Sequence, residues 1–387
     1  MSLFEQNRDL AGILQEKVYE GPRHVVIDIT NRCNTNCLAC WTYSPLLQKE
    51  NRPAKEWYKQ SISWESLKYL IDDLADMGVQ RIRFTGGGEP LLYKQMPEAI
   101  RQIKARGIWL AITTNGILLQ NEILEEIASS RVDEIAISLW AASEKTYKTL
   151  HPAAREGQFF AILESVQKLK SNPMYSPSVS FLNVINRHNV HEISRMGDLA
   201  RNLSVDSVYF TLVDAMPDTK DLVLDEAMRS EALEEVKRIR QRFYNHTQAV
   251  DWDNLDGFEA RLVHTRDDVF YDRELIDKMP CYMGWHFARI GADGGVFPCC
   301  KGVDYPMGNI MQNRFSEIWV NQKYKQFRHL SLKEKKDHAY FSKMNCYQMC
   351  DNLMHNQQIH QRLEALDSGS RQKLGQAQGS VLQDLRE

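Results

Sequence analysis

No apolar run in this 387-residue chain approaches the ~20 residues that a membrane helix needs. The N-terminus, Met1-Ser2-Leu3-Phe4-Glu5-Gln6, joins no basic region to an apolar core, which argues against a secretory signal. No run of lysine or arginine stands out and the net charge is −3, so the chain carries no footprint for nucleic acid. These absences give the expectation of a soluble, cytoplasmic protein with neither membrane nor nucleic-acid partner. A hydrophobic content of 43% and a charged content of 26% are those of an ordinary globular protein, with room for one large domain and a smaller one. What is present in quantity is cysteine. Eight cysteines fall in clusters, and without an export signal they read as cofactor ligands rather than disulfides.

Three of them, Cys33, Cys37 and Cys40, stand at C-x3-C-x2-C directly after the apolar run Val25–Ile29. Three thiolates on one loop hold three corners of a cubane iron–sulfur cluster and leave one iron open. The spacing alone also suits a structural zinc loop or reduced core cysteines. Downstream a strand–helix beat repeats. Strands are expected at Val25–Ile29, Arg81–Phe84, Trp109–Thr113, Glu134–Leu139, Val179–Val184 and Ser207–Leu212. Ser63 opens, and Gly78 closes, a helix with apolar Leu67, Leu70, Ile71 and Leu74. Six such units predict an α/β fold with a parallel sheet, a partial (β/α)6 TIM-like barrel rather than the usual eight. Polar and glycine-rich residues gather after the strands: the cysteine loop, Gly86-Gly87-Gly88-Glu89-Pro90, Asn115-Gly116 and Ser138. In such folds that edge binds ligands.

The division expected is a helical extension over 1–23, the barrel over 24–250, a connector over 251–280, a small cysteine-rich α+β domain over 281–355 and a polar tail over 356–387. The C-terminal domain opens on Cys281, turns through Asp293-Gly294 to Cys299 and Cys300, and closes on Cys346 and Cys350.

The cysteine loop followed by Gly87-Gly88-Glu89-Pro90 resembles the radical S-adenosylmethionine (SAM) enzymes, and residues 281–352 are similar to their SPASM or shorter Twitch extension. The resemblance implies that Cys33, Cys37 and Cys40 hold a [4Fe–4S] cluster whose open iron is chelated by SAM. One electron then cleaves the cofactor, and the 5′-deoxyadenosyl radical takes a hydrogen atom from substrate. It also implies contacts to the cofactor from Gly87, Gly88 and Glu89, and from Ser138 at the ribose, with Asn115 and Asn183 as further strand-end candidates. The alternatives for these positions are a tight strand-to-helix turn, a strand-end serine bonded to backbone and loop-holding asparagines. The chain departs from the family in having Ala39 before the third cysteine and no glycine pattern after the fifth strand.

Cys281, Cys299, Cys346 and Cys350 match the opening and closing pairs of one auxiliary [4Fe–4S] cluster, with Cys300 left over. A four-cysteine zinc site is the alternative. A fully ligated auxiliary cluster suits electron relay, and hence dehydrogenase-type oxidation of a small substrate such as a sugar or aminocyclitol. Peptide crosslinking or epimerisation stays open, as does a non-enzymatic iron–sulfur or zinc sensor. An external one-electron reductant such as flavodoxin or ferredoxin is implied. Tyr43, Trp57, Trp140, Tyr147, His151 and Asp214 are the loop residues expected near the substrate, or else packed within their loops.

Overall fold

The computed structural model of the protein describes residues 2–243, 254–265, 271–344, 346 and 349–382. Six parallel strands, β1 His24–Asp28, β2 Arg81–Thr85, β3 Trp109–Thr114, β4 Glu134–Ser138, β5 Ser178–Ile185 and β6 Ser207–Leu212, lie side by side in chain order. The sheet is not closed, so the architecture is a partial barrel. Beyond β1 it continues through β7 Phe287–Ile290, β8 Gly295–Phe297 and β9 Gly308–Asn309. β7 runs parallel to β1, with Val25 opposite Ala288, and the hairpin to β8 and β9 is antiparallel. The cysteine-rich C-terminal region therefore shares one sheet with the barrel.

β1 shows why it is so apolar. Val25 and Ile27 join the main core, while Val26, on the opposite face, packs with Leu10, Ile13, Tyr282, Trp285 and Phe287. A strand covered on both faces needs a continuous hydrophobic run. Crossover helices bury the other face of the barrel. In the first, Trp64–Asp76, the Ser63 hydroxyl accepts the Ser66 N–H, and Gly78 at φ +76° ends the helix in the left-handed conformation.

Two stretches differ from expectation. The tract 251–280, read as an aperiodic connector, contains the helix Leu255–His264, which buries Phe258 and Leu262, and the short helix Arg273–Ile276; residues 251–253 and 266–270 lie outside the described part. The tail over 356–387 is helical through Glu364 and again over Ser368–Gln376, where Leu374 is buried beside the N-terminal helix Arg8–Gln15. The Leu382 N–H donates to the Val18 carbonyl at 2.9 Å. One or two buried leucines in a polar stretch are too few to register as a helical period, yet enough to dock it. Among the described residues no helix is long and apolar enough to cross a membrane.

At the foot of the barrel His24, His286 and His355 come together, with ring centroids 5.6 Å apart for His286 and His355 and 6.1 Å for His24 and His355. His24 Nε2 and the Nδ1 atoms of His286 and His355 are buried without a hydrogen-bond partner among the described residues. Burial, reinforced by nearby arginines including Arg83, Arg81 and Arg23, holds all three below the usual imidazole range, His286 at about 4. The folded chain keeps these rings neutral. Below about pH 6.5 the unfolded chain takes up protons that the folded chain refuses, so stability is fully present above that pH and falls as the pH drops toward 4. Urea unfolding between pH 7.5 and 5 is expected to show a loss of stability that sets in below about pH 6.5, about 1 kcal/mol per pH unit from His286, with a shallower slope in His286→Phe. An unchanged slope in that variant would remove the cluster as the cause.

Candidate active site

The loop after β1 carries Cys33, Cys37 and Cys40 and is tied down on all sides. The Leu38 N–H donates to the Leu150 carbonyl (2.9 Å), the Ser44 hydroxyl to the Leu38 carbonyl (2.6 Å) and the Tyr43 hydroxyl to the Asn31 carbonyl (2.7 Å). The Tyr43 N–H points at Cys40 Sγ, 3.2 Å away. The glycine loop after β2 closes directly on it: the Glu89 N–H donates to the Arg32 carbonyl at 2.7 Å, and a Cβ on Gly88 would overlap the backbone of Arg32. Close backbone approach is what glycine permits there. Both loops, with the ends of β3, β4 and β6, line one cavity of about 390 Å³.

Of the residues expected to hold cofactor, Cys33, Cys37, Cys40, Gly87, Gly88, Glu89, Asn115 and Ser138 all line this cavity. Glu89 is 2% exposed, and burial raises its carboxyl above the usual range despite three donors: the Leu91 N–H (3.0 Å), the Thr114 hydroxyl (2.7 Å) and the Asn115 N–H (2.8 Å). Its side chain thus joins the glycine loop to the end of β3. Asn115 Nδ2 reaches back to Asn34 Oδ1 at 2.7 Å, inside the cysteine loop. Asn183 is brought elsewhere. It does not line the cavity; its Oδ1 accepts the Trp140 N–H at 3.2 Å, while Asn189 Nδ2 donates to the Trp140 carbonyl at 2.9 Å. Trp140 needs this clamp because it sits at φ +60°, an unfavourable region for a bulky residue.

Tyr43, Trp140 and Asp214 line the cavity, whereas Trp57 packs behind Gly87. Tyr147 and His151 are buried and stacked 4.3 Å apart, and burial lowers His151 to about 4. They pack behind Trp140, whose ring lies 5.5 Å from that of His151. Sequence reasoning missed Tyr209 and Thr211 on β6, and above all Met349 and Asp351, which reach the cavity from the C-terminal region.

Cys281, Cys299, Cys346 and Cys350, joined by Cys300, line a second, more enclosed cavity. Met349, Asp351 and Lys301 belong to its wall as well, and Met349 and Asp351 face both cavities. Lys301 pairs with Asp214 and lies 5.0 Å from the Trp41 ring, whose N–H donates to the Asp214 carbonyl at 2.9 Å. Neighbouring buried charges are matched, Arg261 with Asp272 (2.8 Å) and Arg289 with Asp28 (2.7 Å); Asp272 also accepts the Cys350 N–H at 2.9 Å. All eight cysteines are free. Burial, and then the other cysteines, push the thiols up: Cys33 to about 11, Cys299 to about 12, and Cys37, Cys346 and Cys350 upward too. Thiols crowded in this way are held as neutral groups unless a cation binds them. Buried Lys336 lines this cavity and would offset negative charge on a thiolate-bound cluster, while Lys301 on the same wall is paired with Asp214. Among the described residues no three histidine, cysteine, aspartate or glutamate side chains converge on a single metal ion, while sulfur-only sets around two separate cavities have the donor chemistry of iron–sulfur ligation.

Comparison with known proteins bears directly on this pair of sites. Residues 27–200 match the radical SAM superfamily, and residues 281–351 match the SPASM iron–sulfur cluster-binding domain. The chain belongs to the radical SAM superfamily and carries a SPASM domain. It is 26% identical over 310 residues to Fe-coproporphyrin III synthase of Methanosarcina barkeri, covering 77% of this chain and 73% of that protein. It is 23% identical over 309 residues to PqqA peptide cyclase of Streptomyces rochei, covering 77% and 75%. The crystal structure of Streptococcus suis SuiB bound to precursor peptide SuiA shares the fold with a TM-score of 0.61 at 16% identity, covering 90% of this chain and 75% of that one. These domains imply a [4Fe–4S] cluster with SAM and auxiliary iron–sulfur ligation. In this radical SAM chain three thiols and the glycine loop line the first cavity, and five cysteines line the second.

Proposed function

We propose that this chain is a radical SAM enzyme that oxidises a polar substrate held between two iron–sulfur sites. The observation that carries the reading is the shared wall: Met349 and Asp351 face both the SAM-side cavity and the auxiliary cysteine cavity. Bound in the first cavity, the cluster and SAM would supply a 5′-deoxyadenosyl radical that removes a hydrogen atom from substrate. The rest is the work of the protein. Cys33, Cys37 and Cys40 would hold the cluster, Gly87 and Gly88 would admit the methionine end of SAM, and Ser138 would meet its ribose. Trp140 and Tyr43 shape the apolar part of the pocket, while the Asp214–Lys301 pair and Asp351 present charge to the substrate. A substrate bearing hydroxyl or amino groups suits that wall. Cys281, Cys299, Cys346 and Cys350 would hold the auxiliary cluster behind that wall, where it would accept the second electron.

The relatives give no support to a sugar or aminocyclitol as substrate. PqqA peptide cyclase and SuiB bound to its precursor peptide support a second reading, in which a peptide side chain enters the same cavity. Both readings use one wall. Replacing Cys281 or Cys346 by alanine is expected to leave cleavage of SAM within about tenfold of wild type while abolishing oxidised product. The check is 5′-deoxyadenosine formation with a chemical reductant, alongside product analysis on candidate amino sugars and peptides. Loss of cleavage in these variants would give the second site a purely structural role.

A further inference from the structure

Around the wall that the two cavities share, charges can be matched one by one. Arg261 pairs with Asp272, Arg289 with Asp28 and Lys301 with Asp214. These three cations are also the ones that act on Asp351, and each is already taken. The Asp351 carboxylate itself makes no hydrogen bond or ion pair among the described residues. It is exposed, and what it faces is the two cavities.

The SAM-side cavity carries the same imbalance. Among the described residues that line it there is no lysine, arginine or histidine. Of its three acidic residues, Glu89 is satisfied by three donors and Asp214 is paired, which leaves Asp351. Four aromatic side chains, Trp41, Tyr43, Trp140 and Tyr209, share the lining. A carboxylate among aromatic rings suits a protonated amine: the carboxylate accepts a charge-assisted hydrogen bond, and the ring faces attract the cation. The chain shows this chemistry on its own side chains, because the Lys301 ammonium pairs with Asp214 and lies 5.0 Å from the Trp41 ring. A phosphate or carboxylate of a substrate would meet an unmatched negative charge there and no cation to offset its loss of water.

We propose that Asp351 is a specificity-determining residue that holds a protonated amine of the substrate, a lysine-type side chain or a free alkylamine, in the SAM-side cavity. The proposal rests on the enzymatic reading above and narrows its substrate class. Asp351 directly follows Cys350, so a group gripped there is held at the wall of the auxiliary site. Met349, on the same wall, offers the alkyl stem an apolar contact.

The test is saturation-transfer NMR on the full reconstituted protein with SAM and no reductant, so that nothing turns over. n-Butylamine, protonated at neutral pH, is expected to bind about tenfold more tightly than n-butanol. A lysine-bearing peptide against its Nε-acetylated form repeats the comparison for an amine carried on a chain. Whichever amine binds more tightly identifies the source, polypeptide or small molecule. Asp351→Asn should erase both preferences and Asp351→Glu should keep them, with iron content and SAM affinity unchanged in each. Equal binding of amine and neutral partner by wild type overturns the proposal, and so does a preference that survives in Asp351→Asn. A parallel loss of SAM affinity in Asp351→Asn overturns it as well, by giving the carboxylate to the cofactor's own ammonium group. Should the asparagine variant lose its iron, wild type and Asp351→Glu still decide. Failure of wild type to cleave SAM with a chemical reductant would instead count against the enzymatic reading, because the binding measurement needs no turnover.

Discussion

Replacing Cys33, Cys37 and Cys40 together by alanine is expected to abolish cleavage of S-adenosylmethionine and to halve the iron of the anaerobically reconstituted chain, from about eight to about four per molecule. The expectation follows from two separated sulfur sets, three thiols around one cavity and a further group around another, sharing a wall but no cysteine. Iron and sulfide analysis checks the metal count, and chromatography of 5′-deoxyadenosine checks the chemistry. About four irons in wild type falling to none would assign zinc, or nothing, to the C-terminal set. Eight irons retained in the triple variant would remove the cysteine loop from the candidate site altogether.

The second large effect is expected from a single methyl group. Gly88→Ala would drive a Cβ into the carbonyl and carbonyl carbon of Arg32, both backbone atoms that cannot swing aside. The cysteine loop and the glycine loop must then part, breaking the 2.7 Å bond from the Glu89 N–H to the Arg32 carbonyl. Overpacking of this kind costs about 1–3 kcal/mol of stability. A displacement of about 1 Å at the reacting centre lowers rate by roughly a hundredfold. Gly86→Ala is the comparison, since its Cβ would meet the Thr30 carbonyl at 3.1 Å, a gap that a small shift relieves. SAM cleavage should therefore fall steeply for Gly88→Ala and mildly for Gly86→Ala, with urea unfolding reporting the stability part. Equal activities in the two would show that the loops move independently.

The features legible in the sequence are the local ones. Three thiols on one loop, a glycine run after a strand, and a serine and a glycine bracketing a helix all express their chemistry within a few residues, so spacing alone carries the message. Strands alternating with helices announced six parallel α/β units in the same way, while only the fold shows that their sheet stays open. What escaped reading depends on contacts across hundreds of residues. Asp351 looks like any polar residue after a cysteine; only the folded chain sets it against both cavities. Asn183 sits at a strand end, as a ligand-binding residue would, but is spent on the N–H of Trp140, whose left-handed backbone has no signature in composition. The helix Ser368–Gln376 was read as tail because one buried leucine in nine residues leaves no period to detect.

The pairing of β7 with β1 has an implication for how the molecule can be divided. β1 delivers the radical-site cysteine loop, and its far edge is hydrogen-bonded from His24 through Ile27 to a strand of the SPASM region. Cutting the chain between the two regions would bare that edge and, beside it, the apolar face of Val26 that Tyr282, Trp285 and Phe287 cover. An unpaired strand edge is a template for intermolecular strand addition. The barrel and the cluster domain are thus separable as sequence families but not as soluble pieces, and loss of the second would be felt first as aggregation of the first.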